Sequence, residues 1–197
     1  MEAMWTRFLP AIVALREVVA EGRLGDLVAV HADFGVGFAE DPEGRWFNPA
    51  LGGGALLDLG VYPVSFASML LGPPAHVLAA SDPAFTGVDG HTSAILRDGH
   101  GRQALVSTTM FANTETRAVV VGRDARIEVD RMFFSTRGFT LFYSDDTPER
   151  VERPFEGNGM RFEAMEVARC IRAGLRESPV MPLAETVSIV ETLDEIR

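Results

Sequence analysis

Apolar positions along this chain repeat with two periods, and the change between them separates helical ends from a strand-rich middle. Pro10 suits a first helical turn, and the spacing predicts a helix over Ile12–Glu21, with Ile12, Leu15 and Val19 on one stripe and Val13, Arg16, Glu17 and Ala20 on the other. Gly22 and Gly25 end it. Asp26–Phe34 then alternates as a strand does, with Val28, Val30, Ala32 and Phe34 on one face and His31 and Asp33 on the other. Gly35–Leu51 is rich in Gly, Pro and acid and reads as a loop carrying Trp46 and Phe47. A second helix is expected from Ala55 to Leu71. It stops at Gly72-Pro73-Pro74 and is kinked or interrupted by Pro63.

Period two dominates the middle. Val77–Ser81, Thr92–Arg97 and Gln103–Phe111 form one set of strands, with Asp98-Gly99-His100-Gly101 as a hairpin turn. Arg117–Val121 and Arg126–Asp130 make a second pair around Gly122-Arg123-Asp124, and Phe139–Ser144 and Arg150–Pro154 a third. Helical spacing returns at Met160–Leu175 (Met165, Ala168, Ile171, Leu175) and at Leu183–Ile196 (Val187, Val190, Leu193, Ile196). Consecutive hairpins flanked by helices predict an α+β fold: a large open, mostly antiparallel, mixed sheet with helices packed on one face. Thr108, Met110, Val119 and Val121 give that sheet apolar character on more than one side, so a second copy or another domain is expected to cover the open face.

Length and composition narrow the possibilities. At 197 residues and 47% hydrophobic, the chain can bury a core, and it reads as a single domain over residues 1–197, with 1–10 as a connecting segment. A net charge of −10 disfavours nucleic acid and anionic membranes as partners. The apolar window Ala55–Gly72 holds Asp58, Gly60 and Pro63 and suits a buried helix better than a membrane span. No basic region followed by an apolar block opens the chain, so no signal peptide is expected. The single cysteine, Cys170, excludes an internal disulfide and a thiolate metal cage and suits a reducing, cytoplasmic setting. The four histidines lack ligand spacing, and no metal is expected. All 18 basic residues are arginines, which removes lysine chemistry altogether.

Candidate chemistry centres on Gly52-Gly53-Gly54-Ala55-Leu56-Leu57-Asp58-Leu59-Gly60-Val61-Tyr62. Residues four apart share a helix face, so Asp58 and Tyr62 place a carboxylate and a phenol together. A phenol, with an ordinary pKa near ~10, can donate to a developing alkoxide if a cation or partner eases its ionisation. Without lysine, that cation is an arginine or a group on another domain. The alternative is structural: Asp58 satisfies helix N–H groups and Tyr62 packs in the core. The glycines do not make a dinucleotide fingerprint, because position 57 is Leu and the preceding segment is not a strand. Arg7, between Trp5 and Phe8, reads either as a surface ion pair or as an aromatic-flanked contact for a ligand.

Met1–Phe8, Gly52–Tyr62 and Glu177–Leu183 together resemble the glucose–fructose oxidoreductase/inositol dehydrogenase (Gfo/Idh/MocA) family, most closely its dihydrodiol dehydrogenase and D-xylose dehydrogenase branch. The resemblance implies the C-terminal substrate and dimerisation domain of an NAD(P)-dependent oxidoreductase. Hydride would pass between a sugar, polyol or dihydrodiol hydroxyl and a nicotinamide bound by a separate N-terminal Rossmann domain. It implies Tyr62 as acid/base, Asp58 as its catalytic companion, and Trp5, Arg7, Phe34 and Phe155 as substrate-lining residues. The family's catalytic lysine and cofactor loop have no counterpart here, so these residues alone are expected to bind no cofactor and to be inactive. The family's homodimer forms through the open sheet face. A standalone ligand-binding or oligomerisation module is the competing expectation.

Overall fold

The computed structural model describes residues 1–197. Four helices, α1 (Pro10–Ala20), α2 (Val61–Leu71), α3 (Arg161–Arg172) and α4 (Leu183–Ile196), accompany eight strands. The strands are β1 (Leu27–Gly35), β2 (His76–Pro83), β3 (Asp89–Arg97), β4 (Gln103–Thr109), β5 (Ala118–Gly122), β6 (Ala125–Val129), β7 (Gly138–Tyr143) and β8 (Pro148–Glu152). They form one mixed, mostly antiparallel sheet in the order β2-β3-β4-β1-β5-β6-β7-β8. Every expected strand is present, with ends shifted by up to three residues.

The chain gathers into two compact units, Met1–Val28 with Val119–Ser188, and Ala29–Ala118 with Ile189–Arg197. In the second, β3 pairs antiparallel with β2 and β4, and β1 joins β4 in parallel, with His31 opposite Leu105. Alternation along β3 and β4 sends Ala94, Leu96, Ala104 and Val106 into the core beneath α2, while Ile95 and Leu105 face outward. The register lines up Leu78, Ile95 and Leu105 across three strands, all exposed, so this open face is apolar.

The first unit resolves the same alternation differently. Ile127, Val129, Phe139 and Leu141 are fully or almost fully buried on the side where α1 packs on β7. On the other side of β6–β8 an ionic lattice replaces apolar contact. Arg126 bonds Glu128 and Asp146 and lies over the Phe142 ring, and Arg150 grips Asp130 through two 2.6 Å bonds.

Three expectations change. Helix Ala55–Leu71 is interrupted, but not at Pro63: a π-helical stretch, Leu56–Gly60, precedes α2, and Pro63 sits in α2's first turn, where a missing N–H costs least. The apolar stripe of α3 does not face the core. Met165, Ile171 and Leu175 are exposed and only Cys170 is buried. In α4, Leu193 and Ile196 are buried as expected, whereas Val187 and Val190 are exposed. One stretch, Pro49–Leu71, is long and apolar enough to cross a membrane, and 61% of its apolar window is buried within the protein, as in the core helix of a globular fold.

Candidate active site

The glycine run is shaped by close backbone contact. Gly54 N–H donates to the Trp46 carbonyl (2.9 Å) and Gly53 N–H to the Asn48 carbonyl (3.0 Å), tying the loop before the run to the helix after it. A Cβ on Gly53 would stand 2.8 Å from the Trp46 carbonyl oxygen, and one on Gly54, at φ +127°, would collide with the Asp89 carboxylate. A short 3-10 turn, Pro49–Leu51, precedes the run where a dinucleotide motif needs a strand. The glycines of this run therefore serve close backbone packing.

Asp89, at the start of β3, accepts the Leu56 N–H through Oδ2 at 2.5 Å. It thus caps the π-helical stretch from a neighbouring strand, a role that Asp58 was a candidate for in the sequence. Burial raises the pKa of Asp89, and the bond from Leu56 opposes that rise. Gly60 lets the helix approach β4 closely: a Cβ there would lie 3.1 Å from Thr108 Cγ2.

Asp58 falls inside the π-helical stretch and Tyr62 just beyond it. In a regular α-helix residue i+4 overshoots one full turn by about 40°. A π-helical turn advances less per residue, which brings Tyr62 back toward the position directly above Asp58. Both side chains are half-buried. The Tyr62 ring meets Phe34 of β1 edge-on, with centroids 5.5 Å apart and planes at 67°. Phe34 itself is buried, so it fixes the phenol from below. Asp58 pairs with Arg45, whose guanidinium lies 4.4 Å from the centre of the Trp46 ring. Trp46 in turn stacks on Phe38 at 4.3 Å and 9°. Burial raises the Asp58 pKa, while the charge and hydrogen bond of Arg45 pull it down.

The remaining candidates belong to the first unit. Trp5 is buried and edge-on to Phe134, with centroids 5.9 Å apart. Arg7 is not a surface residue. Its side chain is 3% exposed, pairs with Glu185 at 2.6 Å and donates to the Val180 carbonyl at 3.3 Å, fastening the 3-10 turn Trp5–Phe8 to the start of α4. Phe155 is half-buried, edge-on to Phe162 and covered by the Arg137 guanidinium. The structure thus sets Phe34 against Tyr62, and adds two residues that sequence reasoning passed over, Arg45 against Asp58 and Asp89 against the Leu56 N–H. The lack of lysine left an arginine or a group on another domain as the phenol's cation; Arg45 instead pairs with Asp58, and nothing in the spacing singled it out.

Several known proteins are similar to this chain. Over its whole length the chain is 36% identical to mouse trans-1,2-dihydrobenzene-1,2-diol dehydrogenase and 35% identical to the human enzyme. It spans 60% of the length of each. Among solved structures, a 3-ketoreductase from Actinomadura kijaniata, in complex with NADP, superposes with a TM-score of 0.85 at 21% identity, covering all of this chain and 61% of that one. An aldose–aldose oxidoreductase from Caulobacter crescentus gives 0.79 at 24% identity over 98% of this chain and 61% of its own. The family model of the GFO/IDH/MocA C-terminal domain matches residues 12–128, and the chain belongs to that family.

Proposed function

We propose that this chain is the substrate and dimerisation domain of an NAD(P)-dependent dehydrogenase acting on a diol, polyol or sugar hydroxyl. Tyr62 is its acid/base. The observation that carries the reading is the half-buried phenol of Tyr62, braced edge-on by Phe34, one turn from a carboxylate that is itself held by an arginine. The relatives' name supports the diol class. A nicotinamide held outside these residues would supply hydride acceptance. What this chain contributes is the handling of the proton. The phenolic oxygen exchanges it with the substrate oxygen, and Asp58 accepts a neighbouring hydroxyl and so orients the substrate. Phe34 keeps the phenol from rotating away and excludes water from its inner face. The homodimer contact is assigned to the open face of β2–β4.

Tyr62→Phe removes one oxygen and keeps the Phe34 contact. In the complete dehydrogenase it is expected to lower kcat by about 10²–10⁴-fold, with fold and cofactor affinity unchanged. Reduction of NAD(P) followed with trans-dihydrodiols and pentoses measures this, and a Tyr62→Phe enzyme with wild-type kcat would overturn the reading.

A further inference from the structure

We propose that Arg45 is a positioning residue for the reaction at Tyr62: clamped on the Trp46 ring, its guanidinium holds the Asp58 carboxylate in the single orientation that presents it to substrate. The inference rests on the function proposed above and adds a residue to its machinery.

The clamp is built in layers. Phe47, Ala55, Ala84, Val88 and Met110 form a buried cluster, and Phe38 and Trp46 pack against it. Phe38 and Trp46 lie parallel, and Arg45 lies over the outer face of the indole. The backbone bonds from Gly53 and Gly54 hold this loop against the start of the catalytic helix, so the platform and Asp58 cannot drift apart independently. A guanidinium suits the task, because its planar face stacks on the ring while its edge donates to the carboxylate. An isolated surface arginine, at 67% side-chain exposure, would pair only weakly. Here stacking removes rotamer freedom before the ion pair forms, and the carboxylate is only 22% exposed.

The chemical consequence follows from the opposing influences on Asp58. Burial favours the protonated acid, which would donate to a substrate oxygen; Arg45 favours the carboxylate, which accepts from a substrate hydroxyl. Arg45 therefore sets which hydrogen-bonding partner the site offers as pH falls.

The test is a set of variants in the complete dehydrogenase, Arg45→Met, Arg45→Lys, Asp58→Asn and the double Arg45→Met/Asp58→Asn, with Tyr62→Phe as reference. Arg45→Met is expected to lower kcat/KM for the diol about tenfold or more while the KM for NAD(P) stays constant. Its acid limb in the pH profile should move upward by about one pH unit, within the range for removing an arginine from a carboxylate. Arg45→Lys should restore part of both. The double variant should be no slower than Asp58→Asn alone, because Arg45 acts through Asp58. A carbon-13 titration of the Asp58 carboxyl gives a readout independent of turnover and should show the same upward shift in Arg45→Met. Wild-type pH profile and kcat/KM in Arg45→Met, or additive losses in the double variant, would overturn the role of Arg45. A fully active Tyr62→Phe enzyme would overturn the functional reading instead.

Discussion

Four hydrogen bonds converge on the Glu166 carboxylate: two from Arg169 (2.6 and 2.8 Å), one from the Ser178 hydroxyl (2.6 Å) and one from the Cys170 thiol (3.3 Å). The Arg169 bonds, with smaller help from Ser178 and Cys170, outweigh burial and hold the pKa down at about 2, against an ordinary 4.5. A carboxylate depressed on folding stabilises the fold fully above its unfolded pKa and loses that contribution as pH falls toward the folded value. Glu166→Gln is expected to cost about 2 kcal/mol near neutrality and to flatten the loss of stability between pH 4.5 and 2, read by urea unfolding across that window. Only part of this cluster is legible in the sequence. The Glu166–Arg169 spacing announces a helical pair, but Ser178 arrives through a turn that no local pattern specifies. Asp58 and Tyr62 were legible through a shared helix face, and Arg45 was not, because it reaches Asp58 from a loop.

Elements were legible where periodicity was local. The spacing located α4 within its bounds and every strand within a few residues, because pleat and helix impose their own repeats. It misread which way α3 faces, since an apolar stripe reports amphipathicity and not what covers it. It also missed the π-helical stretch, whose causes lie elsewhere in the chain. Asp89 caps that stretch from β3, and Gly54 leaves the space for it to do so. Asp89→Ala should cost about 1 kcal/mol, the usual worth of a helix cap. Gly54→Ala should cost more, because it adds an unfavourable positive φ to a collision with the same carboxylate. Thermal unfolding ranks the two, and an Asp89→Ala protein as stable as the wild type would show that the cap does not hold the helix start.

For the molecule as a whole, alternation predicted an open mixed sheet, but the parallel pairing of β1 with β4 was out of reach because it joins segments some seventy residues apart. The two halves of that sheet carry different chemistry on their open faces. Leu78, Ile95 and Leu105 form an exposed apolar row, which the proposed dimer would bury. Leu105→Asp places a charge in the middle of that row and should turn a dimer into a monomer in sedimentation velocity, with Glu128→Gln on the ionic half as the control that leaves the dimer intact. A Leu105→Asp protein that still sediments as a dimer would move the contact elsewhere. The same division makes the sheet respond to salt in two opposite ways. Chloride at moderate strength shortens the Debye length to about 10 Å or less and loosens the exposed lattice of Arg126 and Arg150 with its acids. Sulfate screens these pairs as well and, being excluded from apolar surface, also favours removal of the row on β2–β4 from water. Ionic strength thus acts on cohesion within β6–β8, and the choice of anion on the proposed self-association through β2–β4.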